Sequence, residues 1–349
     1  MERVLSYPQA IREATDQAME RDPSVLVAGL GVDDFKGILG TTVDLAGKYG
    51  PARVLDTPLS EDAMTGAAIG MALAGMRPIH VHIRMDFLML AMNQLINVAA
   101  KTHYMYGGQC SVPLVIRASI GKSWGQGAQH SQAFHSFFMH VPGLKVVAPA
   151  TPYDAKGTLL AALSDSNPVV IMEHRLLYYQ KGPVPSEEYK VLPGKARLLT
   201  TGSDVTLVGI SYMQLECFRA AAYLKEMGVS AEVIDPIWLS PLDMETIAAS
   251  VRKTRNLCVV DNGWLSCGAS AEIITRAVET LQEEGCAFKI KRLGFAPVTC
   301  PPTPPLEDLF YPNARSIAAA ACALVRGEKE CPLPAERAEL KAIEFKGPF

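Results

Sequence analysis

No stretch of about 18 uncharged apolar residues occurs anywhere in the 349-residue chain, so the sequence predicts no transmembrane helix. The N-terminus lacks an apolar core of signal-peptide length, and a cytoplasmic location is therefore expected. The 33 basic residues nearly balance the 36 acidic ones, without long runs of either sign. This balance argues against a nucleic-acid or membrane-surface partner, since either would select a basic patch.

Metal and redox motifs are also missing. None of the eight cysteines stands two residues from another, which argues against a zinc or dithiol site and favours reduced core cysteines. His130, His135 and His140 recur at intervals of five, a spacing that does not align side chains on one helical face. A histidine metal cluster is therefore not expected.

The chain does contain a repeated alternation of strand and helix patterns. Its length and its 49% hydrophobic content are sufficient for two domains. Continuous apolar runs predict buried strands at residues 25–28, 112–117, 144–148, 169–172, 204–210, 230–234 and 257–261. Helical patterns separate these runs, including a predicted helix at residues 88–102 that carries Asn93, Gln94 and Asn97. The fold class predicted is α/β, with two parallel-sheet domains.

The positions of the prolines suggest where the two predicted domains are joined. Residues 181–194 hold three prolines among polar residues and are interpreted as an interdomain connection. The predicted organisation is a first domain at 1–180, the linker at 181–194, a second domain at 195–327 and a tail at 328–349. The charged, proline-containing tail fits either a surface helix or a docking arm.

Residues 56–61, Asp-Thr-Pro-Leu-Ser-Glu, form the most informative stretch. Glu61 follows a proline-containing turn and precedes a helix of small residues, and such strand-to-helix corners are where α/β proteins bind ligands. The alternative is a capping box, in which Ser60 and the acids after it stabilise a helix start. The local pattern leaves both interpretations open.

A histidine pair and a glycine-rich loop follow this corner. His80 and His82 alternate along a predicted strand and should share one face, where a layer of polar neighbours is favoured over a metal. Residues 121–132, rich in glycine, follow the strand at 112–117. Loops in this position concentrate binding residues.

Four motifs together carry a family resemblance. They are GPARVLDTPLSE at residues 50–61, QHSQ at 129–132, PGLKVV at 142–147 and ATPYDAKG at 150–157. The chain resembles the beta subunit of the thiamine-diphosphate-dependent decarboxylating component of 2-oxo acid dehydrogenase complexes, most closely its acetoin and pyruvate members, over residues 5–325. The resemblance implies a transketolase-type pyrimidine-binding domain followed by a carboxy-terminal transketolase domain.

The resemblance also assigns residues to the cofactor. Glu61 matches the glutamate that hydrogen-bonds the aminopyrimidine ring and favours its imino tautomer, a role expected of a carboxyl in a buried site. Phe87 matches the residue that packs on the aminopyrimidine, with a plain core aromatic as the alternative. Leu59 and Met85 are expected beside it.

Substrate-facing residues follow from the same match. His130 corresponds to a histidine that assists proton transfer or acyl transfer to a lipoyl arm, the alternative being a loop histidine bonded to the backbone. Gln129 is expected next to the substrate. Arg84, by contrast, departs from the family pattern at the end of a pocket-lining strand. Its guanidinium could bind a carboxylate or phosphate on the substrate, or else pair with an acid such as Asp86.

One required motif is absent. The family holds the diphosphate and Mg²⁺ through Gly-Asp-Gly with a following asparagine, and this chain contains no Gly-Asp-Gly. The resemblance therefore implies an obligate alpha subunit that carries those ligands in an α2β2 assembly. Some relatives also bind structural potassium, which would fall near Leu114, Asp165 and Asn167.

Departures from the family pattern keep a second function open. Leu30 and Asn93 stand where many members carry acids of a proposed proton channel, and residues 299–305 depart from the consensus in a region that helps dock the acyltransferase core. The main hypothesis is a beta subunit that decarboxylates a 2-oxo acid, or cleaves acetoin, and acylates a lipoyl domain. The alternative is a stand-alone two-component carboligase without a lipoyl partner. A non-catalytic scaffold is disfavoured because Glu61 and His130 are present.

Overall fold

The chain divides into two compact units. The computed structural model describes residues 3–122 and 125–340. Within that part of the chain, the first unit comprises residues 3–122 and 132–193, and the second comprises residues 125–131 and 194–340. The division at 193/194 lies at the end of the predicted linker, while residues 125–131 group with the second unit rather than with the residues on either side of them.

The first unit is built on a parallel sheet. Its strands are β1 (Val4–Ser6), β2 (Val25–Gly29), β3 (Val54–Asp56), β4 (Arg77–His82), β5 (Val115–Ile120), β6 (Lys145–Val147), β7 (Val169–His174) and β8 (Lys181–Pro183). The main sheet has the order β6-β7-β5-β4-β2-β3 with parallel pairs throughout. Parallel strands in this order place their carboxyl ends along one edge, which is where ligands bind in such folds.

Helices connect these strands. They are α1 (Tyr7–Arg21), α2 (Gly37–Gly40), α3 (Leu45–Tyr49), α4 (Glu61–Leu73), α5 (Met85–Leu88), α6 (Ala100–Met105), α7 (His135–Met139) and α8 (Pro152–Ala162), with 3₁₀ turns at Met89–Ala91 and Arg175–Tyr179 and a π-helical stretch at Gln94–Ala99. Helix α1 shows how sequence sets such bounds. Ser6 and Gln9 form a capping box at its start, and the chain leaves the helix at Asp22, which precedes a proline.

The predicted helix at residues 88–102 is confirmed, but its pitch changes along the chain. The chain passes from α5 through a 3₁₀ turn and the π-helical stretch into α6. Asn97 donates its side-chain amide to Asn93 at 2.9 Å, and the Gln94 side chain lies against Gly66 of α4, about 3.4 Å from where a Cβ would stand. An apolar pattern does not distinguish 3.6 residues per turn from the wider π turn, and π segments are frequent at functional sites.

The predicted linker contains a short strand. Strand β8 lies inside residues 181–194 and pairs antiparallel with β1, Leu5 standing opposite Gly182. Proline is tolerated at position 183 because both strands of a two-stranded sheet are edge strands. An edge strand does not need every backbone amide as a hydrogen-bond donor.

The second unit repeats the α/β pattern. Its strands are β9 (Arg197–Thr200), β10 (Val205–Gly209), β11 (Ala231–Asp235), β12 (Trp238–Ser240), β13 (Asn256–Trp264) and β14 (Lys289–Phe295), and its helices are α9 (Tyr212–Glu226), α10 (Met244–Thr254), α11 (Ala269–Glu283), α12 (Pro304–Phe310) and α13 (Ala314–Arg326). The sheet order is β14-β13-β10-β11-β9, with only β9 antiparallel within it. The prediction of two parallel-sheet α/β domains is confirmed.

The tail docks on its own unit as far as residue 340. Arg315 donates to the carbonyl of Pro334 at 2.7 Å, and the amide of Arg337 donates to the Tyr223 hydroxyl at 3.1 Å. A 3₁₀ turn at Ala338–Leu340 follows, while residues 341–349 lie outside the described part. Among the described helices, none is long and apolar enough to cross a membrane.

The cysteines are free thiols, as predicted. Six of them are buried, but Cys267 is exposed and Cys110 is half-buried. The prediction that all eight lie in the core is therefore wrong for these two.

We expect the chain to lose stability as the pH falls below about 6.5, the ordinary pKa of histidine. Burial holds the pKa of His82 well below that value and also lowers the pKa of His80. The unfolded chain then binds protons that the folded chain excludes, so acid favours unfolding. Denaturant midpoints measured from about pH 7.5 down to about pH 5.5 give the slope.

His82→Phe should show a shallower loss over that range, because it removes one buried titrating group. His140→Gln is the control, since His140 is exposed and should leave the parent slope unchanged. An unaltered slope in His82→Phe would show that His82 does not contribute.

Candidate active site

The corner between β3 and α4 is held by backbone contacts to the end of β2. Asp56 accepts a hydrogen bond from the amide of Gly31 at 2.6 Å, and the amide of Thr57 donates to the carbonyl of Gly29 at 3.2 Å. Thr57 is buried. These bonds fix the direction in which the chain enters α4 and so fix where Glu61 stands.

Glu61 is the first residue of α4 and is half-buried. Its carboxylate makes no hydrogen bond or ion pair with any residue that the structure describes. Ser60 makes no side-chain capping bond either, so the capping-box alternative is wrong. Glu61 is only half-buried within this chain, so the buried site expected for its carboxylate stays a prediction about an assembly with a second chain. The helix start favours a negative charge there, and a ligand can reach it.

A buried polar layer lies below this helix start. Thr65, one turn after Glu61, places its hydroxyl 3.4 Å from Nε2 of His82. The rings of His80 and His82 stand 4.2 Å apart in an edge contact, and Nδ1 of His80 lies 3.2 Å from the carbonyl of Ala28. Nε2 of His80 is buried without a hydrogen-bond partner among the described residues.

This layer matches the polar neighbours expected from the strand pattern. The two histidines do share one face. Among residues 3–122 and 125–340, no group of three or more histidine, cysteine or acidic side chains could hold a metal ion. The contact between Thr65 and His82 was not predicted, since it joins a helix to a strand 17 positions further along the chain.

The segment after β4 carries a second set of predicted site residues, and hydrogen bonds hold it in place. Oδ1 of Asp86 accepts from the backbone and side-chain amides of Gln132, at 3.1 and 2.9 Å. Sδ of Met85 accepts from the amide of Phe134 at 3.1 Å. Met85 is fully buried. Within this chain it can therefore support the residues around it but cannot itself contact a cofactor. These bonds tie the end of β4 to the residues that follow the glycine-rich loop.

Arg84 and Phe87 are both half-buried beside Asp86. Burial lowers the pKa of the Arg84 guanidinium, and the charge of Asp86 acts in the opposite direction. Burial also raises the pKa of Asp86, whose Oδ2 has no hydrogen-bond partner in the described chain. Leu59, on the approach to α4, is 74% exposed. An anionic or aromatic ligand could therefore meet a cation and apolar surface on this unit.

His130 and Gln129 lie in residues 125–131, which belong to the second unit. His130 is half-buried, its amide reaching back to the carbonyl of Gly127 at 3.5 Å, whereas Gln129 is exposed. The predicted site residues therefore fall into two groups: Glu61, Leu59, Arg84, Met85 and Phe87 in the first unit, and Gln129 and His130 in the second.

The predicted potassium ligands already have protein partners. The carbonyl of Leu114 accepts from the amide of Val169 at 2.9 Å. Asp165 forms an ion pair with Lys145 and accepts from the amide of Asn167 at 2.9 Å. A cation there would have to share these oxygens with an ammonium group.

Sequence reasoning missed a buried cation at the same sheet edge. Arg175, directly after β7, donates to the carbonyls of Gly121 at 2.7 Å and Ile120 at 3.4 Å. It thereby fixes the point where the glycine-rich loop leaves β5. The polar triplet Glu173-His174-Arg175 at the end of a buried apolar run was the available signal.

Comparison with known proteins identifies the two domains. The transketolase pyrimidine-binding domain matches residues 3–181, and the transketolase C-terminal domain matches residues 194–317. The chain is 44% identical to the acetoin:2,6-dichlorophenolindophenol oxidoreductase subunit beta of Cupriavidus necator, over 94% of this chain and 100% of that protein. It belongs to the family of acetoin and pyruvate dehydrogenase beta subunits.

Other members of the family agree. The acetoin:2,6-dichlorophenolindophenol oxidoreductase subunit beta of Bacillus subtilis is 39% identical, over 93% of this chain and 98% of that one. The mitochondrial pyruvate dehydrogenase E1 component subunit beta of Bos taurus is 40% identical, over 88% and 87%. A solved split gene transketolase, described as an inactive beta4 tetramer, superposes with a TM-score of 0.74 at 21% identity, covering 92% of this chain and 98% of that one. That last likeness supports the fold alone.

We expect Glu61→Gln to change the free energy of unfolding by less than about 1 kcal/mol, because only attraction to the helix start is lost. Urea unfolding of the purified chain measures the change.

Glu173→Gln is the matched control. Glu173 accepts from Arg117 at 2.5 and 2.9 Å and from Tyr178 at 2.7 Å in the core, so the same substitution there should cost about 3–5 kcal/mol. Equal losses at the two positions would mean that Glu61 has a structural partner.

Proposed function

We propose that this chain is the beta subunit of a heteromeric thiamine-diphosphate enzyme that decarboxylates a 2-oxo acid, or cleaves acetoin, and passes the acyl group to a lipoyl domain. The observation that carries the proposal is the Glu61 carboxylate, accessible at a helix start and without a partner in the described chain. Relatives named as dehydrogenase or oxidoreductase subunits match along nearly the whole chain.

The residues present fit one end of the cofactor. Thiamine diphosphate, when bound, supplies a carbon nucleophile for the carbonyl group of the substrate. Glu61 would share a proton with a nitrogen of the aminopyrimidine ring and so favour the imino tautomer. Phe87 and Leu59 would contribute apolar contact on the same unit, with Met85 supporting them from the core.

The other end of the cofactor needs a second polypeptide. The sequence contains no Gly-Asp-Gly motif, and the described residues offer no cluster of acids, histidines or cysteines for a divalent cation. An alpha subunit would therefore hold the diphosphate and Mg²⁺, in an α2β2 heterotetramer. Leu59 is 74% exposed on the approach to α4, next to Glu61, where an alpha subunit could cover it.

His130, Gln129 and Arg84 would act on the substrate. An imidazole can take up or release a proton near neutral pH and can assist acyl transfer to a lipoyl arm. Gln129 is exposed and able to hydrogen-bond a substrate oxygen. Arg84 would bind the carboxylate of a 2-oxo acid, since its guanidinium fork matches that group.

The potassium hypothesis at Leu114, Asp165 and Asn167 has weaker support. Lys145 already supplies a positive charge to Asp165, which leaves little electrostatic need for a second cation.

The alternative, a stand-alone carboligase, is also less well supported. The solved transketolase shares only 21% identity with the chain, whereas acetoin and pyruvate dehydrogenase subunits share about twice that fraction.

The function is tested with the chain co-purified with its alpha subunit. We expect release of CO₂ from a 2-oxo acid, or cleavage of acetoin, and acylation of an added lipoyl domain. Glu61→Gln should lower kcat by roughly 10²–10⁴-fold, the contribution of a positioned acid–base group. Asp62→Asn is the control, because Asp62 is the exposed neighbour in the same helical turn.

Three results would contradict this proposal in different ways. Full turnover by Glu61→Gln would exclude the mechanism. Ligation of two carbonyl compounds without acylation of the lipoyl domain would favour the carboligase. An intact, cofactor-loaded complex without turnover of any of these substrates would leave a scaffold subunit.

We expect Arg84→Gln to raise KM for a 2-oxo acid by roughly 10–100-fold, the loss of a charge-assisted hydrogen bond, and to leave KM for neutral acetoin nearly unchanged. Steady-state kinetics with pyruvate and acetoin measure both. Lys36→Gln removes an exposed cation of the same unit and controls for net charge. An equal effect on both substrates would argue that Arg84 does not bind a carboxylate.

A further inference from the structure

The segment that carries His130 packs against the proline-rich segment of the second unit. A Cβ placed on Gly125 would stand 2.3 Å from the carbonyl oxygen of Pro302, far inside van der Waals contact. Gly127 lies beside the same proline, where a Cβ would be 3.6 Å from the Pro302 ring and 4.0 Å from the carbonyl of Cys300. Both contacts lie within the second unit.

Only glycine fits at Gly125 for two reasons. Its φ of +73° lies in the left-handed region that other residues avoid, and the Pro302 carbonyl occupies the space a side chain would need. Gly127 has a similar φ of +67° but meets only ordinary contacts. The two glycines therefore share a left-handed backbone conformation, which would be strained in alanine at either position, and differ in the steric contact.

The proline-rich segment has little freedom to yield. Pro301 and Pro302 have fixed φ and no amide hydrogen, and a further proline begins α12. The carbonyl of Thr303 accepts from the amides of Leu306 and Glu307 at 3.1 and 2.9 Å. The rigid dipeptide Pro301-Pro302 thus lies directly before the start of a helix.

An aromatic cluster anchors both ends of this segment. On one side, the indole of Trp264 donates to the carbonyl of Val298 at 2.9 Å, and buried Cys300 places Sγ 3.6 Å from the hydroxyl of Tyr311. On the other side, the ring of Phe310 at the end of α12 lies 4.9 Å from the ring of Tyr311. The segment is therefore fixed to the core of its own unit.

The contact reaches His130 through a short stretch of backbone. The amide of His130 approaches the carbonyl of Gly127 at 3.5 Å, and Gly127 and Ser131 are both buried. A displacement at Gly125 or Gly127 would therefore be passed to the imidazole three to five residues later.

We propose that the Cys300–Pro302 edge of the C-terminal domain positions His130. Pro302 is the residue that limits how closely the backbone at Gly125 can approach this edge. This inference rests on the proposed catalytic role of His130. The sequence associated residues 299–305 with docking of an acyltransferase core. The contacts assign residues 300–302 a different role, on the catalytic loop itself.

The test compares alanine at the two glycines in the chain co-purified with its alpha subunit. Gly125→Ala should raise amide hydrogen exchange within residues 126–131 and lower kcat by roughly a hundredfold, the effect of a misplacement near 1 Å. Dissociation of thiamine diphosphate should stay unchanged, because Glu61 and Phe87 lie in the first unit. Gly127→Ala should have a much smaller effect on exchange and kcat.

Gly228→Ala controls for backbone strain alone, since Gly228 has a φ of +75° and open space where a Cβ would stand. It should leave exchange in residues 126–131 and kcat unchanged. Pro302→Gly frees the backbone that blocks Gly125, so adding it to Gly125→Ala should restore part of the lost kcat. A variant that is merely destabilised would not be rescued by a second loosening change.

Equal effects of Gly125→Ala and Gly127→Ala, or an absence of rescue, would overturn the proposal. Where Gly125→Ala does not fold, Pro302→Gly alone must still raise exchange in residues 126–131, and unchanged exchange would overturn it. His130→Ala separates the two hypotheses. Full turnover by that variant would refute the catalytic role of His130, and with it the positioning role, even where the exchange data confirm the contact.

Discussion

The constraint that organises the candidate site of the first unit is a carboxylate that has no partner among the described residues of its own chain. Glu61 stands at the first position of α4, where the helix dipole favours a negative charge. Just before Glu61, hydrogen bonds join Asp56 and Thr57 to residues at the end of β2 and hold the corner in place. The chain thus fixes the backbone around Glu61 tightly while leaving its functional group to a ligand.

The polar residues around that corner also hold the backbone in place and leave the Glu61 carboxylate to a ligand. In the polar layer next to this helix start, Thr65 and His82 meet in the core, whereas Nε2 of His80 has no hydrogen-bond partner among the described residues. Asp86 accepts two hydrogen bonds from Gln132 and so holds the end of the glycine-rich loop against the segment after β4. Polar groups in this region are placed to hold neighbouring segments, which leaves Glu61 itself uncommitted.

Sequence predicted what depends on local chemistry. Strands such as β2 and β7 read as continuous apolar runs because parallel strands are buried on both faces, and the motif around Glu61 identified the family. The π-helical stretch at Gln94–Ala99 was missed, since apolar spacing does not reveal helical pitch. The half-buried state of Glu61 and the contact between Gly125 and Pro302 were also missed. Both depend on segments far apart in the sequence, and the first depends on a surface that another chain would cover.

These observations divide the proposed catalytic groups between two structural supports. Glu61 depends on the parallel sheet of the first unit, whereas His130 belongs to a segment that packs on the proline-rich edge of the second. Prolines suit that edge because they lose little conformational entropy on folding, so a support without regular hydrogen bonds can still be rigid. Glycines suit the loop because they allow its backbone to approach within contact of a carbonyl oxygen. If His130 has the proposed role, the C-terminal domain contributes to the chemistry by positioning that residue, although it carries none of the proposed cofactor-binding residues.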